Sequence, residues 1–147
     1  MFGEFLKRLF DADPQPLPDP DARLALGALL VRVARSDGVY APEEASRIDR
    51  ILANRYNLSV SDSVTLREQA EGLESEAPDT VRFTRAIKDC VPYEDREAVI
   101  EALWSVVLAD GERDYEEDAQ LRLMANLLGV NDRDSNLARQ RVEARPV

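Results

Sequence analysis

The chain has 147 residues, a formal net charge of −10, one cysteine and no histidine. This length is typical of a single domain, and the negative charge argues against nucleic-acid binding, which needs a basic face. One cysteine excludes a disulfide framework, and without histidine a structural zinc site or a histidine-dependent nucleophile is not expected.

The first twenty residues are predicted to stand apart from the domain. Met1–Phe10 has apolar side chains at helical spacing, and we interpret it either as a segment that docks on the core or frays, or as a docking or membrane-surface peptide. Asp11–Pro20 carries four alternate prolines, which predict an extended spacer. No signal peptide or membrane-spanning run is recognisable. The domain is therefore assigned to residues 21–147.

Helical periodicity and helix boundary signals recur through the rest of the chain, and no useful strand pattern is present. The predicted helices are Asp21–Ser36, Pro42–Asn57, Ser61–Ser75, Asp79–Cys90, Glu94–Ala109, Asp114–Leu128 and Asn131–Glu143. The predicted fold is all-α, a single domain of seven or eight helices. Because Glu94–Ala109 is apolar nearly all round after Ile100, we expect it to be the central, most buried helix. Trp104 and Cys90 are expected in the core.

One acidic pattern occurs twice. Asp37-Gly38 is followed by Glu43-Glu44, and Asp110-Gly111 is followed by Glu116-Glu117. Each copy runs from the end of one predicted helix into the first turn of the next. The chain is therefore predicted to contain two related helical hairpins with a helical insert between them.

The acidic turns have two interpretations. Glycine is an ordinary helix C-cap, acidic residues favour a helix N-terminus, and Asp114 with Glu117 fits a capping box. However, residues 110–118 hold six carboxylates and one arginine, and their mutual repulsion is relieved by a cation or a basic partner. Oxygen ligands suit Ca²⁺, Mg²⁺ or Mn²⁺, although the pattern is not an EF-hand. A solvated acidic face or a protein-docking surface is the alternative.

Carboxylate-based catalysis is disfavoured. A glycosidase needs paired carboxylates across a sugar cleft, and an aromatic fraction of 6% supplies no evident platform for a sugar. We therefore predict that the protein is not an enzyme.

The two turns together resemble the TerB-like family, which comprises the tellurite-resistance TerB proteins and uncharacterised bacterial relatives. The resemblance is carried by the segments 33–44 and 107–117, with 82–87 and 127–131 in support, and covers about residues 22–143. It implies an all-helical domain with two related hairpins. It also implies a bacterial cytoplasmic protein, with the inner face of the membrane as an alternative location.

The resemblance further implies an acidic site that binds metal ions. The matching positions in this chain are Asp37, Glu43 and Glu44 in the first turn, and Asp110, Asp114, Glu116 and Glu117 in the second. Ala41 stands where relatives often carry an acidic or polar residue. The second turn also lacks the histidine that relatives often carry, which weakens the interpretation of the turn as a transition-metal site and leaves Ca²⁺, Mg²⁺ or Mn²⁺ as the expected divalent cations.

The predicted function is that of a non-enzymatic, stress-associated binding module of the tellurite-resistance type, which binds a divalent cation through its two acidic helix-turn-helix loops. The alternative is a metal-independent adaptor. Its acidic surface or its N-terminal amphipathic segment would bind a protein partner or the inner membrane face. We expect a protein partner, no nucleic acid, and at most peripheral association with a membrane.

Overall fold

The structure is a computed structural model that describes residues 19–36, 38–76, 80–109 and 115–145, with the side chains of 19–21 and 115–117 outside the description. Within these ranges the chain forms seven helices and no strand. The helices are α1 (Asp19–Arg35), α2 (Pro42–Tyr56), α3 (Val60–Glu76), α4 (Thr80–Cys90), α5 (Tyr93–Val107), α6 (Tyr115–Leu127) and α7 (Asp132–Ala144). The all-α prediction is confirmed, and no predicted helix end is misplaced by more than two residues.

Local signals explain where several helices begin and end. Gly38 and Gly129 have φ of 84° and 79°, and Asn57 ends α2 with φ of 54°. These left-handed conformations are the usual way to stop a helix, and glycine adopts them without strain. Pro42 starts α2 at a position that needs no N–H donor. The side chain of Asn131 starts α7 by accepting a hydrogen bond of 2.8 Å from the Asp134 N–H.

Helix α1 is the central helix, so the prediction that Glu94–Ala109 would be the most buried is wrong. The stretch 24–31 of α1 is buried without interruption, and α1 contacts α2, α3, α4, α5 and α6. Small residues make this possible. Gly27 lies so close to α3 that a Cβ placed there would come within 2.7 Å of the Ala70 Cβ. Hydropathy alone predicted α5 as the most buried helix. It takes no account of side-chain volume, and the small volume of Gly27 is what lets α3 approach α1 closely.

The helices pack as two hairpins with an insert. Helix α1 packs on α2, α5 packs on α6, and contacts of α5 with α1 and α2 join the two hairpins. The insert helices α3 and α4 both pack on α1, whereas α7 packs mainly on α5. Trp104 ties α5 to α7, because its Nε1–H donates to the carbonyl and hydroxyl oxygens of Ser135 at 3.1 and 3.2 Å. Trp104 is buried as expected, but Cys90 is only half-buried.

One guanidinium joins the insert to the second hairpin. Arg96 donates from Nε to the Val91 carbonyl at 3.0 Å, from Nη1 to the Leu128 carbonyl at 3.2 Å, and from Nη2 to the Lys88 carbonyl at 3.5 Å. These carbonyls lie at the C-terminal ends of α4 and α6, where helices leave backbone acceptors unsatisfied. Arg96 therefore caps two helix ends at once.

The N-terminal predictions are only partly covered by the structure. Met1–Phe10 and most of the proline-rich spacer lie outside the described residues, whereas Asp19 and Pro20 belong to the first turn of α1. Proline is well tolerated there, because the first N–H groups of a helix have no intrahelical acceptor. In the described part of the chain, no helix is long and apolar enough to cross a membrane.

Candidate functional site

The first acidic turn connects α1 to α2, and most of its backbone is described. Asp37 lies outside the described residues, but the Gly38 N–H donates to the Arg35 carbonyl at 3.0 Å, and the Ser36 hydroxyl donates to the Val33 carbonyl at 2.7 Å. These bonds close the last turn of α1. The architectural interpretation of Gly38 as a helix C-cap is therefore confirmed.

Glu44 has a structural role in this turn. It is only 2% exposed, and its Oε1 accepts a hydrogen bond of 3.0 Å from the Ala41 N–H at the start of α2. This is one half of a capping box. The other half is missing because Ala41, the N-cap residue, has no side-chain oxygen. Glu43, the next carboxylate along the chain, is exposed to solvent.

The predicted ligands of the second turn are largely outside the described part. Asp110 and Asp114 are not described, and Glu116 and Glu117 are placed only as backbone in the first turn of α6. Among the described residues, no group of three or more Asp, Glu, Cys or His side chains is arranged to hold a metal. The described residues thus bring together none of the predicted ligands, and the ligand set stays a prediction.

A network that the sequence did not predict holds the end of the first turn. The Tyr40 hydroxyl donates to Glu71 Oε2 at 2.7 Å, and Arg67 donates to Glu71 at 2.8 Å and to Asp49 Oδ1 at 2.5 Å. Burial, together with the hydrogen bond to the Glu71 carboxylate and its negative charge, raises the pKa of Tyr40 well above its usual value. Tyr40 is therefore held as a neutral donor that fixes the turn to α3.

A second cluster fixes the C-terminal end of α1. Glu74 of α3 accepts from Arg32 Nε at 3.1 Å and from Arg35 Nη1 at 2.6 Å, and its backbone carbonyl accepts from Arg32 Nη2 at 3.0 Å. The Glu74 side chain is 13% exposed, so these ion pairs are partly shielded from water. Apart from the i,i+4 pair of Arg67 and Glu71, the contacts of both clusters join residues far apart in sequence, so no local pattern could have revealed them. Helix α3 therefore contacts the first acidic turn at both of its ends, at the C-terminal end of α1 and at Tyr40.

Another concave surface lies between α2, α5 and α7, and we name it the arginine groove. Its volume is about 840 Å³. Its basic lining is formed by Arg47, Arg50 and Arg55 of α2 and by Arg145, which follows α7. Apolar side chains contribute as well, including Ile51, Ala102 and Val142. The groove is unexpected in a chain whose net charge is −10, and sequence analysis did not single it out.

The described residues thus form an all-helical domain with two packed hairpins, and in each hairpin the sequence has Asp-Gly ahead of the second helix and Glu-Glu in that helix's first turn. The chain belongs to the TerB family: the family described as tellurite resistance protein TerB matches residues 23–140. The resemblance predicted from the two turns is thereby confirmed. Comparisons with curated proteins and with solved structures gave no significant match.

Proposed function

We propose that this TerB-family domain is a non-enzymatic binding module whose acidic turns bind a divalent cation. The observation that carries the proposal is the composition of residues 110–118, where six carboxylates accompany a single arginine. Helix capping uses two or three of them. The rest repel one another unless a cation or a basic partner relieves the repulsion. Carboxylate oxygens are the ligands that Ca²⁺, Mg²⁺ and Mn²⁺ prefer.

The two turns are not equivalent in this proposal. One oxygen of Glu44 is engaged by the Ala41 N–H and its side chain is buried, whereas Glu43 is exposed and Asp37 lies outside the described residues. We therefore assign the main ligands to the second turn. They are Asp110, Asp114, Glu116 and Glu117.

Calorimetric titration of the chelator-stripped full chain with Ca²⁺, Mg²⁺ and Mn²⁺, paired with melting curves, tests the proposal. Binding should raise the melting temperature, because a ligand of the native state stabilises it. The variant Asp110→Asn/Glu117→Gln should lose the binding and keep its helical content. The matched control is Asp62→Asn/Glu68→Gln, which removes the same charge from exposed positions of α3. The cation site would be rejected if none of the three ions bound, or if both variants lost affinity for the ion equally.

A stress-linked role is part of the same proposal, because the matching family is described by tellurite resistance. Expression of the wild-type chain in a tellurite-sensitive bacterial host should extend growth on tellurite. The Asp110→Asn/Glu117→Gln variant should not extend it if cation binding is required. Equal protection by the variant would separate the stress role from the cation.

The second candidate is the metal-independent adaptor, which the net charge of −10 favours. Such an adaptor would recruit a basic protein partner in the cytoplasm, or the inner membrane face through Met1–Phe10. Partner capture should weaken with salt and survive chelation, since exposed charges are screened by ions. Deletion of residues 1–18, which leaves α1 intact, should abolish membrane association without lowering the melting temperature. A large loss of stability would instead assign the N-terminal segment to the core.

A further inference from the structure

The arginine groove contains positive charge that the fold does not neutralise. Arg47 and Arg50 lie one turn apart on α2, and both line the groove. Neither forms a hydrogen bond or an ion pair with any residue in the described part of the chain. Two like charges at this spacing on a helix repel each other weakly. Their placement therefore costs a little stability, and no hydrogen bond or ion pair with a described residue offsets this cost.

The other basic side chains near the groove have structural explanations. Arg55 lies in the last turn of α2, where a cation favours the negative end of the helix dipole. Arg141 and Arg145 both donate to Glu101 of α5, and Arg139 donates to Glu143 at 3.0 Å. The two carboxylates that line the groove, Glu101 and Glu143, are thus already engaged. Only Arg47 and Arg50 are left without such an explanation.

The remaining lining has two chemical characters. Ile51, Ala102 and Val142 present apolar surface, whereas Asn54 and Ser105 present an amide and a hydroxyl that can donate hydrogen bonds. A volume of about 840 Å³ lies within the range of small-molecule sites. Five of the thirteen lining residues are apolar and eight are polar or charged, so the groove is more polar than most such sites. The groove therefore suits a ligand with an apolar body and an anionic end.

We propose that the arginine groove binds a phosphate monoester that is joined to an apolar group. Guanidinium groups match phosphate oxygens with paired N–H donors. A phosphate monoester carries a charge of about −1.5 to −2 near neutral pH, so it neutralises Arg47 and Arg50 together, whereas one carboxylate would leave a positive charge uncompensated. None of the described residues that line the groove belongs to an acidic turn, and the proposal does not require a cation at either turn.

The test compares a soluble and a membrane-borne source of this chemistry, using the full chain. The soluble probe is 1-naphthyl phosphate, measured by calorimetry, with 1-naphthol as the apolar reference. The membrane probe is a phosphatidylcholine vesicle with a minor fraction of phosphatidic acid, measured by co-sedimentation against pure phosphatidylcholine vesicles. The variant is Arg47→Gln/Arg50→Gln. The matched control is Arg85→Gln/Lys88→Gln, which removes two exposed charges at the same spacing on α4, away from the groove.

We expect one of the two probes to bind the wild-type chain. The Arg47→Gln/Arg50→Gln variant should bind that probe at least about tenfold more weakly, since two charge-assisted hydrogen-bonding groups are lost. The control should bind as the wild type does. Binding of naphthyl phosphate identifies a soluble ligand, and binding of the vesicles alone identifies a lipid headgroup. Equal weakening in variant and control, binding of naphthol as strong as that of its phosphate, or no binding of either probe would overturn the proposal. Melting curves of both variants check that the fold is retained.

Discussion

Gly27 of α1 and Ala70 of α3 meet where these two helices pack, and a Cβ on Gly27 would stand 2.7 Å from the Ala70 Cβ. Such a distance is far below ordinary contact, and neither methyl group can rotate away. Because α1 contacts five other helices, any displacement at this point is transmitted through the core.

Replacement of Gly27 by alanine should therefore destabilise the domain, although alanine has the better helix propensity. Overpacking of a core typically lowers the free energy of unfolding by about 1–3 kcal/mol, and chemical denaturation measures the change. Gly72→Ala is the control, because nothing lies within 4 Å of a Cβ at that exposed position of α3. It should raise the free energy of unfolding by about 0.5–1 kcal/mol. Equal effects at both positions would contradict the packing argument.

The two adjacent glutamates of the first turn should behave differently. Glu44→Ala removes the acceptor of the Ala41 N–H, and loss of such a cap typically lowers the free energy of unfolding by about 1–2 kcal/mol. Glu43→Ala changes an exposed side chain, and its effect should stay within about 0.5 kcal/mol. Thermal and chemical denaturation of the two variants measures both effects. A destabilisation shared equally would show that the capping bond of Glu44 contributes little.

The ion pairs of Glu74 should stabilise the domain more than an exposed pair does. Glu74→Gln weakens the contacts to Arg32 and Arg35 in a partly shielded setting, and we expect a loss of about 1–2 kcal/mol. The comparison is Asp132→Asn, whose partner Arg122 is 72% exposed. Exposed ion pairs contribute about 0–1 kcal/mol. Denaturation at low and high salt should show the larger and less salt-sensitive loss for Glu74→Gln.

The ionisation of Tyr40 should make the stability of the domain depend on pH in the alkaline range. Its pKa is raised in the folded state by burial and by Glu71, so above about pH 10 the unfolded chain loses the phenolic proton first. The folded state then binds more protons than the unfolded state, and stability must fall as the pH rises. Below the ordinary tyrosine pKa this contribution is fully present. Chemical denaturation of Tyr40→Phe between about pH 8 and 11 should show a shallower decline than the wild type. Identical slopes would remove Tyr40 as the cause.

Helix positions could be predicted because their signals are local. Gly38, Gly129 and Pro42 each act on the backbone within a turn of their own position, and the structure places helix ends beside all three. The centrality of α1 could not be predicted in the same way. It depends on the small volume of Gly27 and on a partner, Ala70, that is distant in sequence.

The candidate sites show the same division. The acidic pattern was visible in the sequence, but the engagement of Glu44 by the Ala41 N–H was hidden, because alanine at the N-cap does not match the usual capping box. The spacing of Arg47 and Arg50 was equally visible. Their lack of an acidic partner among the described residues could not be predicted, because it depends on the tertiary structure. The carboxylates that α5 and α7 place in the groove are already bound to other arginines.

Arg96 has a consequence for how the domain unfolds. Its single guanidinium binds backbone carbonyls at the ends of both α4 and α6, so the opening of either helix end breaks bonds to a side chain that also binds the other end. We expect this shared side chain to couple the unfolding of the insert to that of the second hairpin. Amide protons near the ends of these two helices should exchange with solvent at similar rates, and replacement of Arg96 should uncouple them.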